Sequence, residues 1–207
     1  MGQPNLLMFE PTYADELEVI LRYTFSYMQN REGSSVYIRL STRNIPQIKR
    51  EINKSLEEKI LSGGYWLEKP KNKSNITIVF SGVIAPEVLE AARLIKEDDV
   101  NVSILIITSS DRLYKNWKLS QKERSKGIKM ISRIDELFSD TLDDSAIVSV
   151  IDAHSSSLTW IGGAVGKKIV SLGVDEFGQS GNLKDLYQNY SIDADAIIDA
   201  CAQVLSN

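Results

Sequence analysis

The chain has 207 residues, of which 43% are hydrophobic and 25% charged, and its net charge is −4. That balance makes a soluble globular protein with a sizeable core the default, longer than one minimal domain and shorter than two full ones. The mild acidic excess argues against a phosphate-backbone binder, so no nucleic-acid partner is expected.

Cys201 is the single cysteine, so no internal disulfide can form. It stands among Ala200, Ala202 and Val204 in a helical pattern and reads as a small core residue. No stretch approaches the run of about 20 apolar residues that a membrane helix needs, so no membrane partner is expected. The first residues show no basic stretch followed by an apolar one, and a cytoplasmic location is the default expectation.

The first predicted helix is announced by Pro11 and Thr12 and carries Leu17, Ile20, Leu21, Thr24, Phe25 and Met28 at helical spacing. Glu32-Gly33-Ser34-Ser35 breaks it, and Val36 to Leu40 follows as a strand that Asn44-Ile45-Pro46 ends. Residues from about Ile48 to Leu61 read as a charged linker helix. The chain thus divides into residues 1–45, a linker at 46–63 and a second unit at 64–207.

The second unit opens with a short strand, Tyr65-Trp66-Leu67, and a turn over Lys69 to Lys73. Ile76 to Phe80 is a buried strand, Ser81-Gly82 a sharp turn, and Pro86 marks the first turn of a helix burying Val88, Ala91, Ala92 and Ile95. Val102 to Ile107 is nearly continuous in apolar residues, as a parallel strand covered on both faces should be. Asp111 to Lys129 is polar, a helix and a loop; Ile134 to Phe138 is a short helix; Ala146 to Ile151 is another buried strand. Ser155 to Ala164 reads as a helix with serine caps, Lys168 to Leu172 as the last strand, and Asp193 to Leu205 as a final amphipathic helix. This alternation predicts an α/β three-layer sandwich with a mostly parallel sheet, preceded by a partial helix–strand unit. Right-handed crossovers would gather Ser81-Gly82, Thr108-Ser109, His154-Ser155 and Gly173-Val174 at one carboxyl edge, where ligands or partners usually sit.

His154 is the only histidine. Asp152, His154 and Ser155 invite a triad reading, but neighbours at a strand end point to opposite faces, so a structural or interface role is expected. One histidine and one cysteine cannot build a typical zinc site, and Asp98-Asp99 and Asp143-Asp144 read as solvated turns. Gly162 to Gly166 resembles a phosphate loop by composition, yet it ends a helix instead of opening one and reads as a stop. Phe177-Gly178-Gln179-Ser180-Gly181 follows a strand and leads into a helix, so free N–H groups at Ser180 or Gly181 could hold an anion; a tight turn with a helix cap is the plainer reading. Tyr114, Lys115, Trp117 and Lys118 read as a helix with one apolar edge. His154, Phe177, Gly178, Ser180 and Gly181 are therefore candidates for anion or interface contact, and no residue is a candidate catalyst, cofactor ligand or metal ligand.

The strings Ile151-Asp152-Ala153-His154, Val170 through Gly181, Asp185-Leu186-Tyr187 and Ile192-Asp193-Ala194 resemble the C-terminal domain of thiamine-diphosphate-dependent E1 subunits of the pyruvate dehydrogenase type; transketolases share a looser form. Phe9 to Glu16 and Val36 to Arg43 look like the last helix and strand of the pyrimidine-binding domain that precedes it. The resemblance implies that residues 1–45 end a pyrimidine-binding domain and 64–207 form a transketolase-like C-terminal domain. It implies thiamine diphosphate and magnesium in the intact enzyme, oxidative decarboxylation of a 2-oxoacid, and acyl transfer to a lipoyl-bearing E2 partner. In the family, a Gly-Asp-Gly motif holds metal and diphosphate, and a glutamate and histidines of earlier segments serve the cofactor. This sequence has no Gly-Asp-Gly, so no cofactor is expected on this chain alone. Its implied role is to complete the subunit and help build a two-fold homodimer. A transketolase-type ketol-transfer fragment and a free-standing, non-catalytic assembly module are the alternatives.

Overall fold

The computed structural model describes residues 3–70 and 75–206. The turn expected over Lys69 to Lys73 lies largely outside the described residues.

The central strands are β4 (Ile76–Ser81), β5 (Val102–Ile107) and β6 (Ala146–Ile151), each buried along its whole length. Their alternate residues go to opposite faces, as the two-residue period of a strand requires. Ile78, Phe80, Ile104, Ile106, Val148 and Val150 join one core. Val79, Leu105, Ile107, Ile147 and Ile151 join the other. With β3 (Gly64–Glu68) and β7 (Ile169–Leu172) they form a five-stranded sheet in the order β3-β5-β4-β6-β7. All pairings are parallel except β3 with β5, so β3 is an antiparallel edge.

Helices cover both faces, which is the predicted three-layer sandwich. On the first face α3 (Ala85–Glu97) buries Val88, Ala91, Ala92 and Ile95, and α8 (Ala194–Ser206) buries Ile197, Ala200, Cys201 and Val204. Burial pushes the Cys201 thiol up to about 12, in keeping with a core role. On the second face lie α4 (Ser110–Ser125), α5 (Arg133–Phe138) and α6 (Ser156–Val165). Local chemistry starts and stops these helices. Ser109 accepts the Arg112 N–H ahead of α4, and Ser132 and Asp135 form a capping box on α5. Gly166, with φ of 69°, ends α6, so the glycine-rich segment is a helix stop.

The N-terminal part forms its own two-stranded parallel sheet from β1 (Leu6–Phe9) and β2 (Ser35–Ile38), joined by α1 (Ala14–Gln29). Strand β1 has no counterpart in the sequence expectations. Leu7, Phe9, Tyr13, Val19 and Ile20 share a core with Ile60, Tyr65 and the first face of the large sheet. Phe25, Met28, Tyr37 and Leu40 stay exposed.

The linker helix is shorter than expected. Residues 46–53 have no regular structure, and α2 spans Lys54–Leu61. Two interactions fix that start. Asn53 accepts the Leu56 N–H as N-cap. Upstream, Arg50 is held by both carboxylate oxygens of Asp15 (2.7 and 2.9 Å), by Glu16 (3.3 Å) and by the Tyr65 hydroxyl (2.7 Å). The polar 111–129 segment is helical through Ser125. A further helix, α7 (Leu183–Asn189), precedes α8.

Candidate functional site

The parallel register brings the ends of β4, β6 and β7 to one edge, with Ser81 beside Ile151 and Val150 beside Leu172. The β1–β2 layer is clamped onto this carboxyl edge. Glu10 N–H donates to the Thr108 carbonyl at 2.8 Å, and the Ser109 hydroxyl donates to the Met8 carbonyl. Arg39, just past β2, donates to Glu10 and to the Asp152 carbonyl. Gly82 sits against Glu10 with φ of 69°, and a Cβ there would run into the Glu10 carboxylate. Only glycine fits both the positive φ and the close approach.

Three further links finish the clamp. Arg43 grips Glu87 through two bonds of 2.7 and 2.9 Å and lies over the Tyr187 ring at 5.2 Å. The Tyr187 hydroxyl donates to Asp152 Oδ2 at 3.1 Å. A cavity of about 160 Å³ remains between Glu10, Tyr13, Arg39, Arg43, Gln47 and Gly82. Burial pushes the Glu10 carboxyl above its ordinary value, against the pull of Arg39. Glu16 is fully buried and burial raises it too, although Tyr65, the Thr12 and Tyr13 N–H groups and Arg50 all favour its charged form. Each charged group here already has a partner within the chain. The arrangement holds layers together and presents no activated nucleophile.

His154 and the 177–181 segment lie at the same edge. The three side chains of the imagined triad do not form a relay. Asp152 takes the Tyr187 hydroxyl, the Ser155 hydroxyl goes to Asp175 at 2.8 Å, and His154 Nδ1 accepts the Ser156 N–H at 3.2 Å. Asp175 also accepts the Ser155 N–H at 2.7 Å and stands 3.4 Å from His154 Nδ1. The Ser155 N–H is the main reason the Asp175 carboxyl lies below its ordinary value.

Phe177 is 94% exposed, and Gly178, Ser180 and Gly181 are exposed with it. The Tyr190 hydroxyl ties the segment down, accepting from Gln179 N at 2.9 Å and donating to the Phe177 carbonyl at 3.1 Å. The expectation that Ser180 or Gly181 opens the helix needs correction. Helix α7 starts at Leu183, and Asn182 is its N-cap, accepting the Lys184 N–H at 3.0 Å. A short polar side chain one residue past the glycine took the capping position.

Sequence reasoning missed Glu10, Arg39, Arg43 and Glu87. Their partners lie 29 to 113 positions away, and no local spacing announces them. The acidic Glu10 directly after the apolar run Leu6 to Phe9 was the one available signal.

Residues 63–193 match the model of the transketolase-like C-terminal domain. The chain belongs to this family, the C-terminal region of thiamine-diphosphate-dependent transketolase and E1 enzymes. Among curated relatives, it is 27% identical over 205 residues to a pyruvate dehydrogenase E1 component of Buchnera aphidicola, covering 95% of this chain and 22% of that protein. It is 25% identical to a chloroplastic transketolase of Craterostigma plantagineum, covering 99% of this chain and 35% of that protein. The chain thus spans between a fifth and about a third of the length of these relatives. In fold it is similar to a split-gene transketolase described as an "inactive beta4 tetramer", with a TM-score of 0.69 at 18% identity, covering 98% of this chain and 59% of that one.

The family implies thiamine diphosphate, which needs a divalent metal and donors for its diphosphate. Among the described residues no group of three or more His, Cys, Asp or Glu is placed to share a metal ion, and the sequence has no Gly-Asp-Gly. The donor set of the described residues does not fit a metal–diphosphate centre. No helix among the described residues is long and apolar enough to cross a membrane.

Proposed function

We propose that this chain is the C-terminal portion of a pyruvate dehydrogenase E1-type enzyme, contributing subunit integrity and dimerisation instead of catalytic groups. The observation that carries the reading is the family match over residues 63–193 together with an E1 relative aligned along 95% of the chain. The physical support is a carboxyl edge whose charged groups are used up in holding the β1–β2 layer. In the intact enzyme, thiamine diphosphate with magnesium would supply the carbanion chemistry from residues outside this chain. A lipoyl-bearing E2 would take the acyl group. The partners of this chain are then the remainder of the E1 subunit and a second copy related by two-fold symmetry, the commonest closed assembly.

The β1–β2 layer supports an assembly role. Two-stranded parallel sheets seldom stand alone, because parallel strands are normally covered on both faces. Here Phe25 and Leu40 are 58% and 59% exposed beside it. We assign this face to the polypeptide that completes the pyrimidine-binding domain. In this chain alone that face is uncovered and adds to the drive for two-fold association, so sedimentation over a range of concentrations should show self-association, weakened by Leu40→Ser; a clean monomer at high concentration contradicts the interface role.

The transketolase relative supports the second reading, ketol transfer. An enzyme reconstituted with this chain as its last segment separates the two. Carbon dioxide release from a 2-oxoacid is expected; ketol exchange between sugar phosphates without decarboxylation would select the alternative.

A further inference from the structure

The second face of the sandwich carries a charge that the composition hides. Residues 111–133 hold eight of the chain's 24 Lys and Arg residues and only two of its 28 acids. In a chain of net charge −4 this makes α4 and the loop after it a positive region, bounded by Asp135 and Glu136 in the first turn of α5. Such a field concentrates small anions.

At its edge lies a cavity of about 750 Å³, within the size range of small-molecule sites. It opens between the start of β1, the end of α1, α4 and α5. Arg112, Lys115, Arg133 and Glu136 line it; Lys115 is paired with Asp111 at 2.9 Å and Arg133 with Glu136 at 3.1 Å. Arg112 is half-buried and has no carboxylate within ion-pair reach among the described residues; its guanidinium meets only the rings of Phe9 and Tyr23, at 5.8 and 5.2 Å. Arg112 Nη1 and Arg133 Nε are both buried without a hydrogen-bond partner. Arg133 pairs with Glu136 through its Nη1, so Arg112 is the lining cation left without a carboxylate; a buried donor without a partner is costly, and both residues with one line this cavity. Asn116, also in the lining, accepts the Arg133 backbone N–H on its Oδ1 at 2.7 Å, which leaves its NH2 group as a donor.

We infer that this cavity binds a small polyanion, a metabolite carrying two or more phosphate or carboxylate groups. The lining supplies cationic and amide donors, and planar guanidinium groups suit both kinds of oxyanion. The site is separate from the carboxyl-edge clamp and stands independently of the enzyme reading above.

Inorganic pyrophosphate and citrate, titrated into the full chain by calorimetry, are the probes; the first stands for phosphorylated ligands and the second for polycarboxylates. At least one should bind saturably, with a dissociation constant below about 1 mM. Arg112→Gln should weaken that binding tenfold or more while circular dichroism stays unchanged. Arg133→Gln, on a different helix, should do the same and serves if the first variant does not fold. Lys118→Gln with Lys122→Gln, which lie outside the cavity lining, should leave it within about twofold. Pyrophosphate alone binding assigns the phosphate class, and citrate alone the carboxylate class. Failure of both probes, or equal weakening by the lysine variant, overturns the proposal in favour of a diffuse positive surface.

Discussion

Asp175 does for α6 what the helix's own cap residue does not. Ser155 sits at the N-cap position in helical conformation with no side-chain bond to the first turn. Asp175 crosses from the segment after β7 and accepts both the Ser155 N–H and hydroxyl. Removing the charge with Asp175→Asn should cost up to about 1 kcal/mol at neutral pH, toward the low end because the side chain is half exposed. The sign of the pH dependence follows from a carboxyl held below its ordinary value of about 3.9. Its contribution is fully present above that value and disappears as pH falls through the lower folded-state value. Urea midpoints of the two proteins should therefore differ at neutral pH and converge in acid. A constant difference down to pH about 2 would mean that the carboxylate is not the cap. Arg50 is the second residue of consequence. Arg50→Met leaves Glu16 buried, beside Asp15, with no cation, and should cost about 3 kcal/mol in urea unfolding; a loss under about 1 kcal/mol would show that the network is ornamental. Neither group of partners was legible in the sequence. Arg50 finds Asp15 and Tyr65 across 35 and 15 positions, and only tertiary packing brings them together.

At the scale of elements, legibility tracked burial. β4, β5 and β6 are buried on both faces, so they are continuous apolar runs that any reading finds. β1 is four residues long and its partner β2 begins 29 positions later, so neither length nor turn chemistry announced it. α4 was obscured because its buried residues are few, Asp111, Leu113 and Ser120, amid a polar surface. That the 177–181 segment follows a strand and leads into a helix was legible, whereas the cap was not, because Asn182 lies one residue beyond the segment. Gly82 shows what a turn can demand. Gly82→Ala combines a positive φ with a clash against Glu10, whereas Gly127→Ala has a φ of 83° and open space. The second should cost about 1 kcal/mol. The first should cost at least about 1 kcal/mol more, as core overpacking does. Equal losses, measured by thermal unfolding, would show that the β1–β2 layer is not pressed onto the edge of the sheet.

Over the whole molecule, the large sheet, its two helical faces and the N-terminal layer make a body whose polar groups mostly satisfy one another. The fold class was legible because strand–helix alternation persists over most of the chain. The family was legible only through resemblance, since its cofactor motif is absent from this sequence and the residues at the carboxyl edge bind one another. That view separates this chain's task from the chemistry of the enzyme it is proposed to complete. The most direct measurement is calorimetric titration of the 207-residue chain with thiamine diphosphate in the presence of magnesium. No saturable heat is predicted. A micromolar dissociation constant, worth about −8 kcal/mol, would contradict the account, because it would require a metal–diphosphate site within residues assigned here to assembly.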